Sequence, residues 1–151
     1  MTSRILAAVI VPDANLLIYA VNSDSPLHDR GRAWWSSALN GDEVVGLPWH
    51  CLLAFVRIST HPGVFPRPLT TDDALSHVEN WLSSPVARIL HPSDRHPHVM
   101  RSLLHHAGGR GDLVGDAHIA ALALEFGGVV YSADADFGRF DAVRWVNPLV
   151  G

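Results

Sequence analysis

The chain contains no lysine: the Lys+Arg count of 11 is made up of arginine alone. That excludes a phosphate-binding loop built on Gly-Lys-Ser/Thr. It also removes the lysine that phospho-aspartyl receivers and aspartate-nucleophile phosphatases place beside their strand-end aspartates. There is a single cysteine, Cys51. No internal disulfide is therefore available, and a reducing cytoplasm is the expected setting. Cys51 lies in an apolar stretch and reads as a small buried hydrophobe rather than a nucleophile. No apolar run approaches the roughly 20 residues that a membrane span requires. The opening M-T-S-R-I-L-A-A-V-I-V loosely has the outline of an export signal, but it stops at Pro12 and Asp13. β-Branched residues crowd its end, so it reads as a first core strand. An excess of positive charge is missing too: the net charge is −4 with ten histidines counted neutral. That does not advertise a nucleic-acid surface. Bound divalent cations would nevertheless reverse the sign locally, and a dimer could assemble a basic groove from scattered arginines.

What is present suits one domain over residues 1–151, with 48% hydrophobic and 17% charged residues. Apolar runs at 5–12, 86–90, 129–132 and 143–146 read as strands, with a short extended stretch at 44–47. Helices are expected at 15–21, 28–39, 48–60, 70–82, from Ser93-Asp94 to Gly108-Gly109, and at 112–126. Helix 48–60 has apolar residues around most of its circumference and should be buried. Asp112 is placed to cap the last helix. Strands that alternate with helices and look apolar on both faces imply an α/β fold, with a mainly parallel central sheet flanked by helices on both faces.

Four aspartates fall where that architecture gathers them. Asp13 follows the first strand, and Asp134 and Asp136 follow the run G-V-V-Y-S. In open α/β sheets, ligands bind outside the carboxyl ends of the strands. Asp116 is near the start of the helix that leads into the strand before Asp134, so it lies at the same edge. Carboxylates repel when crowded, which suppresses ionisation unless a cation neutralises them. Hard oxygen ligands select Mg²⁺ or Mn²⁺ over zinc. Taken singly, Asp13 could cap a helix, Asp116 could face solvent and Asp134-Ala-Asp136 could form a turn. One shared edge for all four argues against those separate readings. The histidines offer no zinc spacing: His91 with His96, and His105 with His106, read as isolated surface pairs.

These residues resemble the PIN-domain ribonucleases, and specifically the VapC toxins of bacterial toxin–antitoxin pairs. Asp13 with Asn15-Leu16-Leu17 looks like the opening motif of that family, and Leu52 to Thr60 is similar to its second block. Asp116-Ala-His-Ile-Ala-Ala-Leu-Ala resembles the third block, and Ser132-Ala-Asp134-Ala-Asp136-Phe137 the fourth. Arg144-Trp145-Val-Asn-Pro148 is similar to the closing strand. The resemblance implies an endoribonuclease dependent on Mg²⁺ or Mn²⁺, acting on tRNA or rRNA and leaving a 5′-phosphate and a 3′-hydroxyl. It implies a homodimer and a short cognate antitoxin, VapB-like, that blocks the site. Asp13 and Asp116 would be primary metal ligands, with Asp134 and Asp136 completing the cluster and Asn15 in support. Ser132 would sit where its hydroxyl holds a metal-bound water or a phosphate.

One position departs from the pattern. Where many relatives carry a glutamate before Phe-x-Arg, this chain has Ala54. Asp112 or Glu43 are the candidates to replace it. Arg57, one turn later, is expected either to pair with the acids or to contact phosphate. Arg30 and Arg32 are further candidates for holding the RNA backbone. Trp34, Trp35 and Trp49 either line an antitoxin or dimer surface or pack in the core.

Overall fold

A computed structural model describes residues 8–150. Five strands form one all-parallel sheet in the order β3–β2–β1–β4–β5. They are β1 (Val9–Pro12), β2 (Val45–Pro48), β3 (Ala87–Leu90), β4 (Gly128–Tyr131) and β5 (Trp145–Val146). The helices are α1 (Ala14–Val21), α2 (His28–Leu39), α3 (Trp49–Ser59), α4 (Thr71–Leu82), α5 (His96–His106) and α6 (Val114–Glu125). The sequence places the start of the first strand at Ile5; residues before Ala8 lie outside the described residues.

β1 is the central strand, with β2 and β4 on either side, and β1 and β4 are both short runs rich in buried β-branched residues. Alternation along β1 sends Ile10 to one core and Val11 to the other. Ile10 joins Leu17, Trp35, Leu47, Phe55 and Trp81 on the face covered by α1, α2, α3 and α4. Val11 joins Leu103, Leu113, Ile119, Leu122 and Phe137 under α5 and α6. α6 is buried over most of its circumference, from Ala117 to Ala123. Gly127 ends it with a positive φ of 64°, a conformation that suits glycine.

Two expectations are corrected. Helix α3 is not buried all round, since Leu53 is 60% and Trp49 44% exposed. It packs through Cys51, Leu52 and Phe55 and leaves its other side open. The segment 112–126 does not begin as an α-helix either. A 3₁₀ turn, Gly111–Leu113, precedes α6. Asp112 therefore caps nothing; its carboxylate is gripped by Arg110 at 2.8 and 3.1 Å.

The register positions the site. Pro12 lies opposite Tyr131 in the β1–β4 pair. The next residues along, Asp13 and Ser132, are thereby brought side by side at the carboxyl edge.

Candidate metal centre

Asp13 sits at the junction of β1 and α1. Pro12 ends the strand, and one Asp13 carboxylate oxygen accepts the Ala14 amide at 2.7 Å to cap α1. The other accepts the Ser132 hydroxyl, also at 2.7 Å. Asp13 is thus both a cap and a member of the site. Asp116 stands in the first turn of α6. Asp134 opens a 3₁₀ turn, Ala135–Arg139, by accepting the Asp136 amide at 2.9 Å. Arg139 donates to Asp136 at 3.2 Å.

Asp116, Asp134 and Asp136 each place a carboxylate oxygen within 4.8 Å of the others. Asp13 stands beside this trio, close enough for the Asp134 charge to act on it. Asp116 is pushed up to about 7, first by partial burial and then by the charges of Asp13, Asp134, Asp136 and Asp112. Asp13 is also raised, by burial before anything else, although its bonds to Ser132 and Ala14 pull the other way. Such a site holds more negative charge than protein dipoles neutralise. The donor set, oxygen only and partly open to solvent, fits a hard divalent cation.

Ser132 is fully buried and its hydroxyl is fully used. It donates to Asp13 and accepts from the Asn15 amide at 3.1 Å and the Asp134 backbone N–H at 3.0 Å. The hydroxyl thereby links the Asp13 carboxylate to the Asn15 side chain and to the backbone of Asp134. Asn15 closes the loop by accepting the Ala133 N–H at 3.4 Å. Ser132 also anchors β5, because its carbonyl accepts the Trp145 indole N–H at 2.9 Å.

Other candidates fall elsewhere. Arg57 is exposed in the last turn of α3 and has no ion pair among the described residues. It lies about 10 Å along the helix axis from the turn nearest the acids. Glu43 precedes β2, at the edge opposite the acids, where its charge raises the Tyr131 phenol after burial has done so. Asp112 stays on the exposed rim with Arg110. Arg30 donates to the Leu149 carbonyl at 3.1 Å. Arg32 lines a cavity of about 600 Å³ between α1, α2 and α4, with Trp35, His77 and Trp81. Trp35 is buried and Trp34 stacks on Tyr131, so of the three tryptophans only Trp49 is substantially exposed.

A row of histidines also borders the acids. His50, second residue of α3, lies near enough to act on Asp13. Its ring meets His118 edge to face at 5.5 Å. His118 and His96 share a 2.8 Å hydrogen bond, so His96 is not the isolated surface residue that its sequence spacing suggests. Burial, then the His96 and His50 charges, push His118 down to about 4. His96 and His118 sit on different helices, and only the α5–α6 hairpin brings them together.

The PIN domain family model matches residues 10–143. The chain belongs to the PIN-domain family, among the VapC ribonucleases. Ribonuclease VapC37 of Mycobacterium tuberculosis is 45% identical over 91% of this chain and 96% of its own length. Ribonuclease VapC33 of the same species is 39% identical over 93% and 99%. Among solved structures, VapBC2 from Rickettsia felis, bound to a DNA fragment from its promoter, has a TM-score of 0.68 at 14% identity. That likeness covers 92% of this chain and 98% of the other. The M. tuberculosis toxin VapC20, described as cleaving the sarcin–ricin loop, has a TM-score of 0.65 at 19% identity, over 85% and 92%. At these identities the structural likeness speaks for the fold, and the 39–45% relatives carry the family. Among the described residues no helix is long and apolar enough to cross a membrane.

Proposed function

We propose that this domain is the toxin of a toxin–antitoxin pair, an endoribonuclease that hydrolyses RNA phosphodiester bonds with Mg²⁺ or Mn²⁺. The observation that carries the metal dependence is the crowded carboxylate trio, in which only Asp136 has a cationic partner among the described residues, with Asp116 raised to about 7 by its surroundings. Asp116, Asp134 and Asp136 would hold the ion, and Asp13 would complete the set. A bound divalent ion supplies charge neutralisation, polarises a phosphate oxygen and favours deprotonation of an attacking water. The chain's own groups prepare the place. Ser132 and Asn15 fix Asp13 against the trio, and the 3₁₀ turn fixes the spacing of Asp134 and Asp136. Arg139 holds Asp136 from its solvent side. The acids lie on an open sheet edge, which a polymer can reach without threading into a closed hollow.

Relatives named as ribonucleases, and one neighbour described as cutting the sarcin–ricin loop, support structured RNA, tRNA or rRNA, as substrate. VapBC complexes among the structural neighbours support a cognate antitoxin as the partner, and the proposed toxin assembly is a homodimer. The test is incubation of the purified chain with bulk tRNA and rRNA, with EDTA or with Mg²⁺ or Mn²⁺. Cleavage is expected only with the metal, and Asp13→Asn should lower it at least about 100-fold, the scale for an electrostatic group acting on the transition state. Cleavage in EDTA, or full activity in Asp13→Asn, would sink the reading.

A further inference from the structure

We infer that His50 contacts the RNA phosphate backbone at the edge of the acidic cluster, from the helix that lacks the usual acid. The inference rests on the nuclease reading above and names a residue that the reading does not require. Ala54 and His50 are four residues apart on α3 and share one face. Side chains on a helix lean toward its N-terminus, so an acid at 54 would reach toward the turn that His50 occupies. Instead of a fifth carboxylate, this side of the cluster carries an exposed imidazole.

Several contacts hold that imidazole in place. Gly115 immediately precedes Asp116, and a Cβ there would lie 3.0 Å from the His50 Nε2. The absence of a side chain at 115 is what lets the ring lie against the start of α6. Behind it, the His118 ring packs edge to face, and His118 is bonded to His96 at 2.8 Å. His96 turns its buried Nδ1 toward Glu125, 3.8 Å away. Glu125 is itself fixed by the Ser93 amide at 3.1 Å and the Ser93 hydroxyl at 3.0 Å. A rigid buttress thus ends in one solvent-exposed ring near Asp13 and the start of α6 that carries Asp116.

The chemistry favours an anion there. RNA must bring phosphates to a site crowded with aspartates, and donors are needed around it. The nearby guanidiniums are already engaged, Arg139 by Asp136 and Arg110 by Asp112. His50 has no hydrogen bond to any acid of the cluster among the described residues, and it can offer an N–H to a phosphate oxygen.

The experiment compares wild type with His50→Ala, His50→Gln and His50→Asn. Cleavage of bulk tRNA is followed over a range of RNA concentrations, and Mn²⁺ binding is measured by calorimetry without RNA. His50→Ala should lower tRNA cleavage about tenfold at subsaturating RNA, roughly the loss of one charged-group hydrogen bond. Mn²⁺ affinity should stay within about twofold of wild type, and Gln or Asn should restore several-fold of the lost rate. The inference is overturned if His50→Ala cuts tRNA like wild type, or if Mn²⁺ affinity falls in step with the rate. It is also overturned if neither amide restores any rate. A wild-type protein that binds Mn²⁺ but leaves both tRNA and rRNA intact would instead overturn the nuclease reading, and this inference with it.

Discussion

Replacing Asp116 by asparagine separates the cost of the acidic cluster from its use. The Asp116 carboxyl rises from 3.8 to about 7, so ionising it in the metal-free protein works against the fold. At full strength that rise corresponds to about 4 kcal/mol. The group is only half-buried, solvent screens part of the repulsion, and about 2 kcal/mol is the figure to test. The sign follows from linkage. Below pH 4 Asp116 is protonated in both folded and unfolded chains and contributes nothing. Between about pH 4 and pH 7 the unfolded chain has lost the proton and the folded one still binds it. Stability therefore falls across that window and is level above it. Asp116→Asn lacks this loss. In EDTA its melting temperature should match wild type near pH 4 and exceed it by about 4–8 °C at pH 7.5 and above, at about 2–4 °C per kcal/mol for a chain of this size. With Mg²⁺ the order should close or reverse, because the ion stabilises only the ionised wild-type cluster. Melts by circular dichroism at pH 4, 6 and 7.5, with and without Mg²⁺, read all of this. A metal-free Asp116→Asn protein less stable than wild type at pH 7.5, or a gap that does not change with pH, would refute the reasoning.

Ser132→Ala removes one donated and two accepted hydrogen bonds at a fully buried hydroxyl. Urea unfolding should show a loss of about 3 kcal/mol. The same variant takes away a bond that pulls Asp13 down, so the acid limb of the pH–activity profile should move to higher pH. An unchanged urea midpoint would show that water replaces the hydroxyl at no cost. Cys51 is fully buried, and its thiol is pushed well up by burial and then by the Asp13 and Asp116 charges. A disulfide reagent at pH 8 should therefore label it only as fast as the protein unfolds, and rapid labelling of the native protein would contradict that burial.

The sheet and the shared edge of the acids were legible because their signals are local. Apolar runs ending at Asp13 and before Asp134 mark strand ends, and the order of strands and helices then dictates which edge they share. The ends of elements were less legible. Asp112 has the residue type of a cap, but Arg110 two residues earlier captures its carboxylate, and the chain starts with a 3₁₀ turn. The burial of α3 was overestimated because apolar composition does not say whether a partner covers each side, and Leu53 has none among the described residues. The role of Ser132 and the pairing of His96 with His118 were hidden for another reason. Both depend on partners from other elements, and no spacing within one segment encodes them. Arg139, three residues after Asp136, could have been found as a one-turn ion pair. His50, four residues before the missing acid, could have been found by asking what else that helix face presents.

The Asp13–Ser132 hydrogen bond spans 119 positions of sequence. β1 finds its neighbour β4 only near the far end of the chain, and two of the acids lie beyond β4. A ribosome making this protein therefore carries an incomplete nuclease until residues 128–136 have emerged. Asp13 and the first helices emerge early, but the cluster has no partners to close with until residues 128–136 are free. The cutting site is thus acquired only after all six helices have been made.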